Sequence, residues 1–201
     1  MATNGIHILL LAAGASRRMR GRDKLLEPLG ARPLLRERAE TCLATGLPVT
    51  VVLPPGAPAR RRALDGLAVT LAEAADAAEG MGRSLAAGVA ALPGDASAVL
   101  VVLADMPELT SADLDRVADR VAEDPQAIWR AQDATGAWGH PVLFPAALFD
   151  DLRAIGGDEG ARAVLAAHAG RLRAVALQGR RATTDLDTPE DWAAWRRRHA
   201  L

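Results

Sequence analysis

Aromatic side chains are scarce in this sequence, which has four Trp, two Phe and no Tyr among its 201 residues. Its formal net charge is only −1 at pH 7. Proteins that bind single-stranded nucleic acids stack bases on aromatic rings, and proteins that bind duplexes present a broad basic surface. The composition therefore argues against nucleic acid as a partner.

Cysteine and long hydrophobic segments are also rare. Cys42 is the only cysteine, so the chain cannot form an internal disulfide, which is typical of a reducing compartment. No apolar run reaches the ~18 residues that a membrane span needs, and no signal-peptide pattern precedes Ile6. We therefore expect a cytoplasmic protein without a membrane partner, folded as a single domain over residues 1–201.

Lysine is the third scarcity. Lys24 is the only lysine among the 24 basic residues, and the other 23 are arginines. A compact ammonium suits a phosphate-binding loop in which a planar guanidinium would not fit. We therefore interpret Lys24 as a functional residue. The alternative is a chance lysine on a solvated loop.

The segment that precedes Lys24 is the most informative part of the chain. The apolar run Ile6–Leu11 predicts a buried parallel strand, and the loop at the carboxyl end of such a strand is where open α/β sheets bind ligands. Small residues follow at Ala12, Ala13 and Gly14, where a ligand can approach the backbone closely. The next positions carry five cations, which together with free N–H groups favour a polyphosphate: Arg17, Arg18, Arg20, Arg22 and Lys24.

This loop fits neither common phosphate signature, because no Ser or Thr follows Lys24 and only Gly14 of a dinucleotide fingerprint is present. It resembles the signature of the molybdenum-cofactor nucleotidyltransferases, L-A-[AG]-G-x-S-x-R-M-G-x-x-K-L. Arg20 departs from it, standing where that family usually has glycine, and Gly21 follows at once. The matching residues are Leu11, Ala12, Ala13, Gly14, Ser16, Arg18, Met19, Lys24 and Leu25.

A second glycine-rich segment, 79–85, precedes a predicted helix that runs to Ala91. Ser84 is predicted to cap that helix, whose N-terminus would offer N–H groups to an anion or a base edge. An ordinary loop-to-helix turn is the alternative. The resemblance implies that the nucleotide base and ribose are recognised here, by Gly80, Met81 and Ser84.

Carboxylates follow the most hydrophobic predicted strand, Val99–Leu103, and precede the last predicted helix. Asp105 ends that strand on the side of the first loop, and carboxylate oxygen is a hard ligand suited to Mg²⁺; it could instead cap the next turn. Asp185 and Asp187 lie two apart in an extended segment, so their side chains point to one side. The resemblance, through L-A-D-M-P and D-L-D-T-P-E-D, implies metal binding by Asp105 and Asp187, with Asp185 as the alternative second ligand.

The last candidates lie in the second half of the chain. His140 falls in G-H-P-V-L-F, and Asp158 and Arg162 fall in G-D-E-G-A-R. Similar segments occur in the resembled family, which implies that these three residues bind the acceptor. From the residues alone, the alternatives are a structural histidine at His140 and, favoured at the other two positions, a capping acid with a surface arginine.

The resemblance covers Ile8 to Trp192. It implies an α/β fold of three layers, a mostly parallel twisted sheet with helices on both faces, similar to nucleotide-diphospho-sugar transferases. We expect antiparallel strands near 127–144.

The implied reaction is nucleotidyl transfer to the phosphate of molybdenum-loaded molybdopterin, with Arg18, Lys24 and Asp105 as catalytic residues, Mg²⁺ as the metal and a molybdoenzyme as a possible recipient. In this group L-A-A-G accompanies CTP and L-A-G-G accompanies GTP, so Ala13 favours CTP, because its methyl group would shorten the base pocket.

Three alternatives stay open at this stage. The chain could transfer guanylate to the same acceptor. It could be a related NTP transferase acting on a sugar phosphate or phospho-acid. It could also be a cofactor-insertion chaperone without catalysis.

Overall fold

The apolar run at the start of the chain forms the central strand, β1 (Ile6–Leu11). The computed structural model describes residues 5–157 and 160–199. Two short strands, β2 (Pro28–Leu29) and β3 (Arg32–Pro33), form a separate hairpin. The remaining strands complete a seven-stranded sheet around β1: β4 (Val49–Leu53), β5 (Thr70–Glu73), β6 (Ala98–Leu103), β7 (Ile128–Gln132), β8 (Trp138–Pro145) and β9 (Leu172–Ala176).

The strand order in this sheet is β5-β4-β1-β6-β8-β7-β9. Strands β5, β4, β1 and β6 are parallel to one another, as are β7 and β9. Strand β8 is antiparallel to both of its neighbours, β6 and β7. The sheet is therefore mostly parallel, and the antiparallel strands expected near 127–144 are confirmed.

Seven α-helices cover the sheet: α1 (Leu34–Leu43), α2 (Pro58–Ala63), α3 (Met81–Ala90), α4 (Ser111–Ala118), α5 (Phe149–Arg153), α6 (Arg162–Ala167) and α7 (Pro189–His199), among the residues that the structure describes. Helices α1, α4 and α7 contribute to the hydrophobic cluster on one face. Helices α3, α5 and α6 contribute to the cluster on the other face. The three-layer α/β fold is confirmed.

Strand β1 shows why its sequence is apolar at nearly every position. Ile6, Ile8 and Leu10 belong to the cluster on one face of the sheet, and Leu9 and Leu11 to the cluster on the other. Successive side chains of a strand point to opposite faces, so a strand covered on both sides must be hydrophobic throughout. Each such side chain stabilises the fold by about 1.5–3 kcal/mol.

The topology fixes where a ligand can bind. The chain continues from β1 to β4 on one side of it, whereas β6 pairs with β1 on the other side. Such a reversal leaves a crevice at the carboxyl ends of the two neighbouring strands. The first loop follows β1 and Asp105 follows β6, so both reach this crevice.

The predicted cap of the third helix is wrong. Helix α3 begins at Met81 with Gly80 as its N-cap, and Ser84 lies inside the helix with its side chain buried. Gly80 has φ 129°, a value that a glycine adopts without strain, so the chain can turn into the helix four residues before Ser84.

Within the part of the chain that the structure describes, none of the helices combines the length and the hydrophobicity required to cross a bilayer.

Candidate active site

A cleft with a volume of about 440 Å³ opens at the carboxyl ends of β1 and β6. It is lined by the loop that follows β1, by the start of α3, by Asp105 and by the segment that precedes α7. The sequence separates these segments by up to about 170 positions, and the crossover connections of the sheet bring them together. The arrangement leaves room for a ligand the size of a nucleotide.

The loop that follows β1 is compact because two of its residues adopt left-handed backbone conformations. Ser16 has φ 52° and Arg20 has φ 53°, and Gly21 follows with φ 87°. Glycine adopts such values readily, which explains why the resembled signature has glycine at the position of Arg20. The Arg20 side chain reaches out of the loop to Glu190, 2.5 Å away.

Lys24 lies between two carboxylates at the base of the cleft. Its Nζ donates to Oδ2 of Asp105 and to Oδ1 of Asp187, at 2.5 Å in each case. The lysine side chain is 11% exposed. Burial lowers the pKa of Lys24, but the charges and hydrogen bonds of Asp105 and Asp187 outweigh burial and raise it overall. The ammonium therefore stays protonated at neutral pH.

The pKa values of the two carboxylates before α7 shift in opposite directions. Burial raises the pKa of Asp187, but Lys24 and Arg18, which also pairs with Asp187, outweigh burial and lower it overall. Burial and the negative charges of Asp105 and Asp187 raise the pKa of Asp185. Three carboxylates, those of Asp105, Asp185 and Asp187, therefore lie close to only two cations, Lys24 and Arg18. This excess of negative charge favours the binding of a further cation.

Two local features hold that segment in place. The N–H of Leu186 donates to the carbonyl oxygen of Asp105 at 3.1 Å, which ties the segment to the end of β6. Thr188 and Asp191 then form the reciprocal hydrogen bonds of a capping box at the start of α7, at 2.9 and 3.1 Å. These bonds fix the position of the segment that carries Asp185 and Asp187.

The oxygen atoms in the cleft fit a divalent cation. Oδ1 of Asp105 is buried without a hydrogen-bond partner among the described residues. Such an atom is costly to bury and suits a hard metal ion. Over residues 5–157 and 160–199, however, no three His, Cys, Asp or Glu side chains converge as a preformed metal site. Lys24 bonds to both Asp105 and Asp187.

A second, smaller cavity of about 130 Å³ adjoins the cleft, since Leu11 and Met81 line both. Its polar residues are Arg130, His140 and Arg162. Burial, followed by the positive charge of Arg162, lowers the pKa of Arg130.

His140 in this cavity is held neutral. Burial, followed by the positive charge of Arg130, lowers its pKa to about 4. Its Nδ1 is buried and has no hydrogen-bond partner among the described residues. The cavity therefore presents two cations and one neutral imidazole to whatever enters it.

Residues 8–172 match the family described as the MobA-like NTP transferase domain. The chain belongs to this family. It is accordingly a nucleotidyltransferase.

Two relatives match the MobA-like chain over most of its length. The purine catabolism protein PucB of Bacillus subtilis (strain 168) is 30% identical over 206 residues, covering 94% of this chain and 95% of that protein. The nicotine blue oxidoreductase of Paenarthrobacter nicotinovorans is 33% identical over 165 residues, covering 78% of this chain and 79% of that protein.

Solved structures share the fold of this chain. Rv0371c from Mycobacterium tuberculosis H37Rv superposes with a TM-score of 0.79 at 29% identity, covering 94% of this chain and 97% of that one. A manganese complex of Rv0371c superposes with a TM-score of 0.78 at 24% identity, with the same coverage.

The structure of the MobA-like domain brings most of the predicted site residues together. Ala12 is the exception at the cleft, because it is buried in the core and does not line the cavity. His140 and Arg162 line the second cavity, and Asp158 lies outside the described residues. The predicted residues that line the cleft are Leu11, Ala13, Gly14, Ser16, Arg18, Lys24, Gly80, Met81, Ser84, Asp105, Asp185 and Asp187.

Two arginines at or near the cavities were not predicted from the sequence. Arg130 lies in the second cavity, but an arginine in a predicted strand carries no local signal of function. Arg60 is buried beneath the first loop and bonds to it. Its sequence neighbours Arg61 and Arg62 make it look like one member of a solvated basic helix.

Proposed function

We propose that this chain transfers a nucleoside monophosphate, preferably CMP from CTP, to the phosphate of molybdenum-loaded molybdopterin and releases pyrophosphate. The observation that carries the proposal is the placement of Lys24. The only lysine of the chain lies in the cleft, hydrogen-bonded to the two carboxylates that follow β6 and precede α7. A largely buried lysine whose pKa is shifted by specific charged partners in a cleft is typical of a functional site.

The role of Lys24 follows from its donors. An ammonium has three N–H groups, and Asp105 and Asp187 accept two of them. One donor remains for a phosphate oxygen of the triphosphate. Because its pKa is raised, Lys24 keeps its full charge where negative charge develops on the departing pyrophosphate.

The rest of the first loop would position the triphosphate. Gly14 and Ser16 line the cleft, where backbone N–H groups can meet phosphate oxygens, and Arg18 lies at the exposed rim. Arg18 is 68% exposed, so it can exchange Asp187 for a phosphate without a large desolvation cost.

Divalent metal chemistry fits the carboxylates. Asp105 and Asp187 would hold Mg²⁺, with Asp185 as the alternative second ligand, and the bound ion would neutralise charge on the phosphates. The unpaired Oδ1 of Asp105 supports this assignment. The manganese complex of Rv0371c supports a divalent ion in this fold.

The chemical step needs positioning more than proton transfer. A phosphate oxygen of the acceptor attacks the α-phosphorus in line, a new P–O bond forms, and the bond from the α-phosphorus to the bridging oxygen of the pyrophosphate breaks. The attacking group is already an anion, so the residues of the cleft need only align the reactants and stabilise charge.

The second cavity is where we place part of the acceptor. Arg130 and Arg162 would bind its anionic groups, and the neutral His140 could orient it through Nδ1. Asp158 stays a proposed acceptor residue from the sequence resemblance alone. At about 130 Å³ the cavity is smaller than typical ligand pockets, so it would take one end of the acceptor while the phosphate faces the cleft.

The preference for CTP rests on Ala13. It lines the cleft one position before Gly14, and Gly80, Met81 and Ser84 line the same cleft. A methyl group at position 13 limits the depth of the base pocket and favours a pyrimidine.

Pyrophosphate release tests the proposal. Each of the four nucleoside triphosphates is incubated with Mg²⁺ and either molybdenum-loaded molybdopterin, a sugar phosphate or a phospho-acid. We expect release with CTP and molybdopterin, and release that is slower by about 10²-fold with the Lys24→Met variant. Release with another acceptor would replace molybdopterin in the proposal, and no release in any combination would favour a non-catalytic role.

A further inference from the structure

Arg60, in the short helix α2, makes four hydrogen bonds to the first loop although it does not line the cleft. Its Nη1 donates to the carbonyl oxygen of Ala12 at 2.6 Å, and its Nη2 to that of Gly14 at 2.8 Å. Its Nε and Nη2 donate to the two carboxylate oxygens of Asp23 at 2.7 and 2.9 Å. The residue is only 5% exposed.

The first two acceptors lie where the chain leaves the sheet. The Ala12 N–H still bonds to the carbonyl oxygen of Val52 in β4, but the carbonyl oxygens of Ala12 and Gly14 bond to Arg60. These two residues flank Ala13 on either side. Arg60 therefore fixes the peptide groups around the residue that we propose limits the base pocket.

The third partner connects Arg60 to the lysine. Oδ1 of Asp23 accepts from the N–H of Leu25 at 3.0 Å, and so caps the short turn that begins at Lys24. Asp23 also accepts from the Ser16 hydroxyl at 3.3 Å, and that hydroxyl accepts from the Lys24 N–H at 3.1 Å. One guanidinium thus joins the two ends of the loop.

We propose that Arg60 is a positioning residue for the triphosphate, which sets the distance between the backbone at Ala13 and the turn that carries Lys24. The planar fork of an arginine can satisfy a carboxylate and two carbonyl groups at once, and a lysine cannot. This inference rests on the proposed function only in that the cleft binds a nucleoside triphosphate. It does not depend on the acceptor.

A purely structural ion pair is the competing explanation. It predicts that loss of Arg60 lowers the stability of the fold while the folded protein binds nucleotide normally. The positioning role predicts weaker nucleotide binding by protein that remains folded. Affinity measured on folded protein separates the two.

The experiment measures the Kd of CTP, or of GTP if the wild type prefers it, by calorimetry in the presence of Mg²⁺. Arg60→Met is compared with Arg62→Met, an exposed arginine of the same helix. We expect Arg60→Met to raise the Kd by about tenfold or more, on the scale of hydrogen bonds to charged groups, and Arg62→Met to leave it unchanged. Arg60→Lys should recover part of the loss.

A double mutant tests whether Arg60 affects nucleotide binding by placing Lys24. If Arg60 acts by placing Lys24, Arg60→Met should weaken binding much less in a Lys24→Met background than in the wild type. Folded state is checked by thermal unfolding. Should Arg60→Met not fold, Arg60→Lys decides, with an expected rise in Kd of about threefold or more.

Equal Kd values for the two methionine variants, or for Arg60→Lys and the wild type where Arg60→Met does not fold, would overturn the positioning role and leave the proposed function standing. Additive effects of Arg60→Met and Lys24→Met on the Kd would show that Arg60 does not act by placing Lys24. A wild-type protein that binds none of the four nucleoside triphosphates would overturn the proposed function, and this inference with it.

Discussion

Replacing Lys24 by methionine should separate metal binding from nucleotide binding. The ammonium now bonds to both Asp105 and Asp187. Its removal leaves the carboxylates of Asp105 and Asp187 without their shared donor, while Arg18 stays paired with Asp187. A divalent ion no longer competes with a fixed positive charge for these oxygens, whereas the triphosphate loses a positively charged partner.

The magnitudes follow from the burial of the groups. Breaking a fully buried ion pair by removing one partner costs about 3–5 kcal/mol. The carboxylates of Asp105 and Asp187 are 18% and 19% exposed, so we expect a smaller loss of unfolding free energy, about 2–3 kcal/mol. A unit charge about 4 Å away is worth about 1–4 kcal/mol between water and a protein surface, so the Kd for Mn²⁺ should fall by about tenfold or more.

Two assays check this prediction. Stabilisation by Mn²⁺ without nucleotide, measured by thermal unfolding, should be larger for Lys24→Met than for the wild type. The kcat/KM for nucleotide should fall by about 10²-fold, and Lys24→Arg should not fully restore it. Arg22→Met is the matched control, since Arg22 is a cation of the same loop that pairs with Glu27. Unchanged Mn²⁺ stabilisation in Lys24→Met would refute the competition between lysine and metal.

Three further predictions concern single residues. Asp105→Asn keeps the size of the side chain but removes its charge, so half-maximal activity should need much more Mg²⁺; an unchanged Mg²⁺ response would mean that Asp105 only caps a turn. Ala13→Gly should raise the kcat/KM for GTP relative to CTP by roughly 10–200-fold at most without inverting a strong preference, and an unchanged ratio would show that Ala13 does not read the base. The pKa of His140 is lowered from 6.5 to about 4, so its contribution to stability is complete above pH 6.5 and is lost as the pH falls toward 4. The unfolding free energy, measured by urea titration, should therefore fall between pH 6.5 and 4 by about 3 kcal/mol at most more in the wild type than in His140→Gln. Parallel plots of unfolding free energy against pH for the two proteins would contradict this prediction.

The sequence predicts the sheet well because the central strands are covered on both faces. Val49–Leu53 and the run that forms β6 are apolar at almost every position, which only a buried parallel strand requires. The start of α3 was predicted less well. A serine before an apolar run signals a cap, but the backbone freedom of Gly80 lets the helix begin earlier and leaves Ser84 buried inside it.

Cleft residues that have a local sequence signal could be predicted, but contacts between residues distant in the sequence could not. Lys24 stands out because lysine is otherwise absent, and Asp105 because it ends a hydrophobic strand. The bond between them joins positions 81 residues apart, and no periodicity reports such a contact. Arg60 was missed for a related reason, since a buried arginine inside a run of three has the same local pattern as an exposed one.

The central claim is that the α-phosphoryl group of the nucleotide reaches an acceptor while pyrophosphate leaves. Two parallel reactions with molybdenum-loaded molybdopterin and Mg²⁺ test it, one with CTP labelled at the α-phosphate and one with CTP labelled at the γ-phosphate. The account predicts that the α-label is recovered in the pterin product and the γ-label in pyrophosphate. Recovery of the γ-label in the pterin product would contradict it. The account would also be contradicted if both labels stayed in unreacted CTP and no other nucleotide reacted with any acceptor class after prolonged incubation.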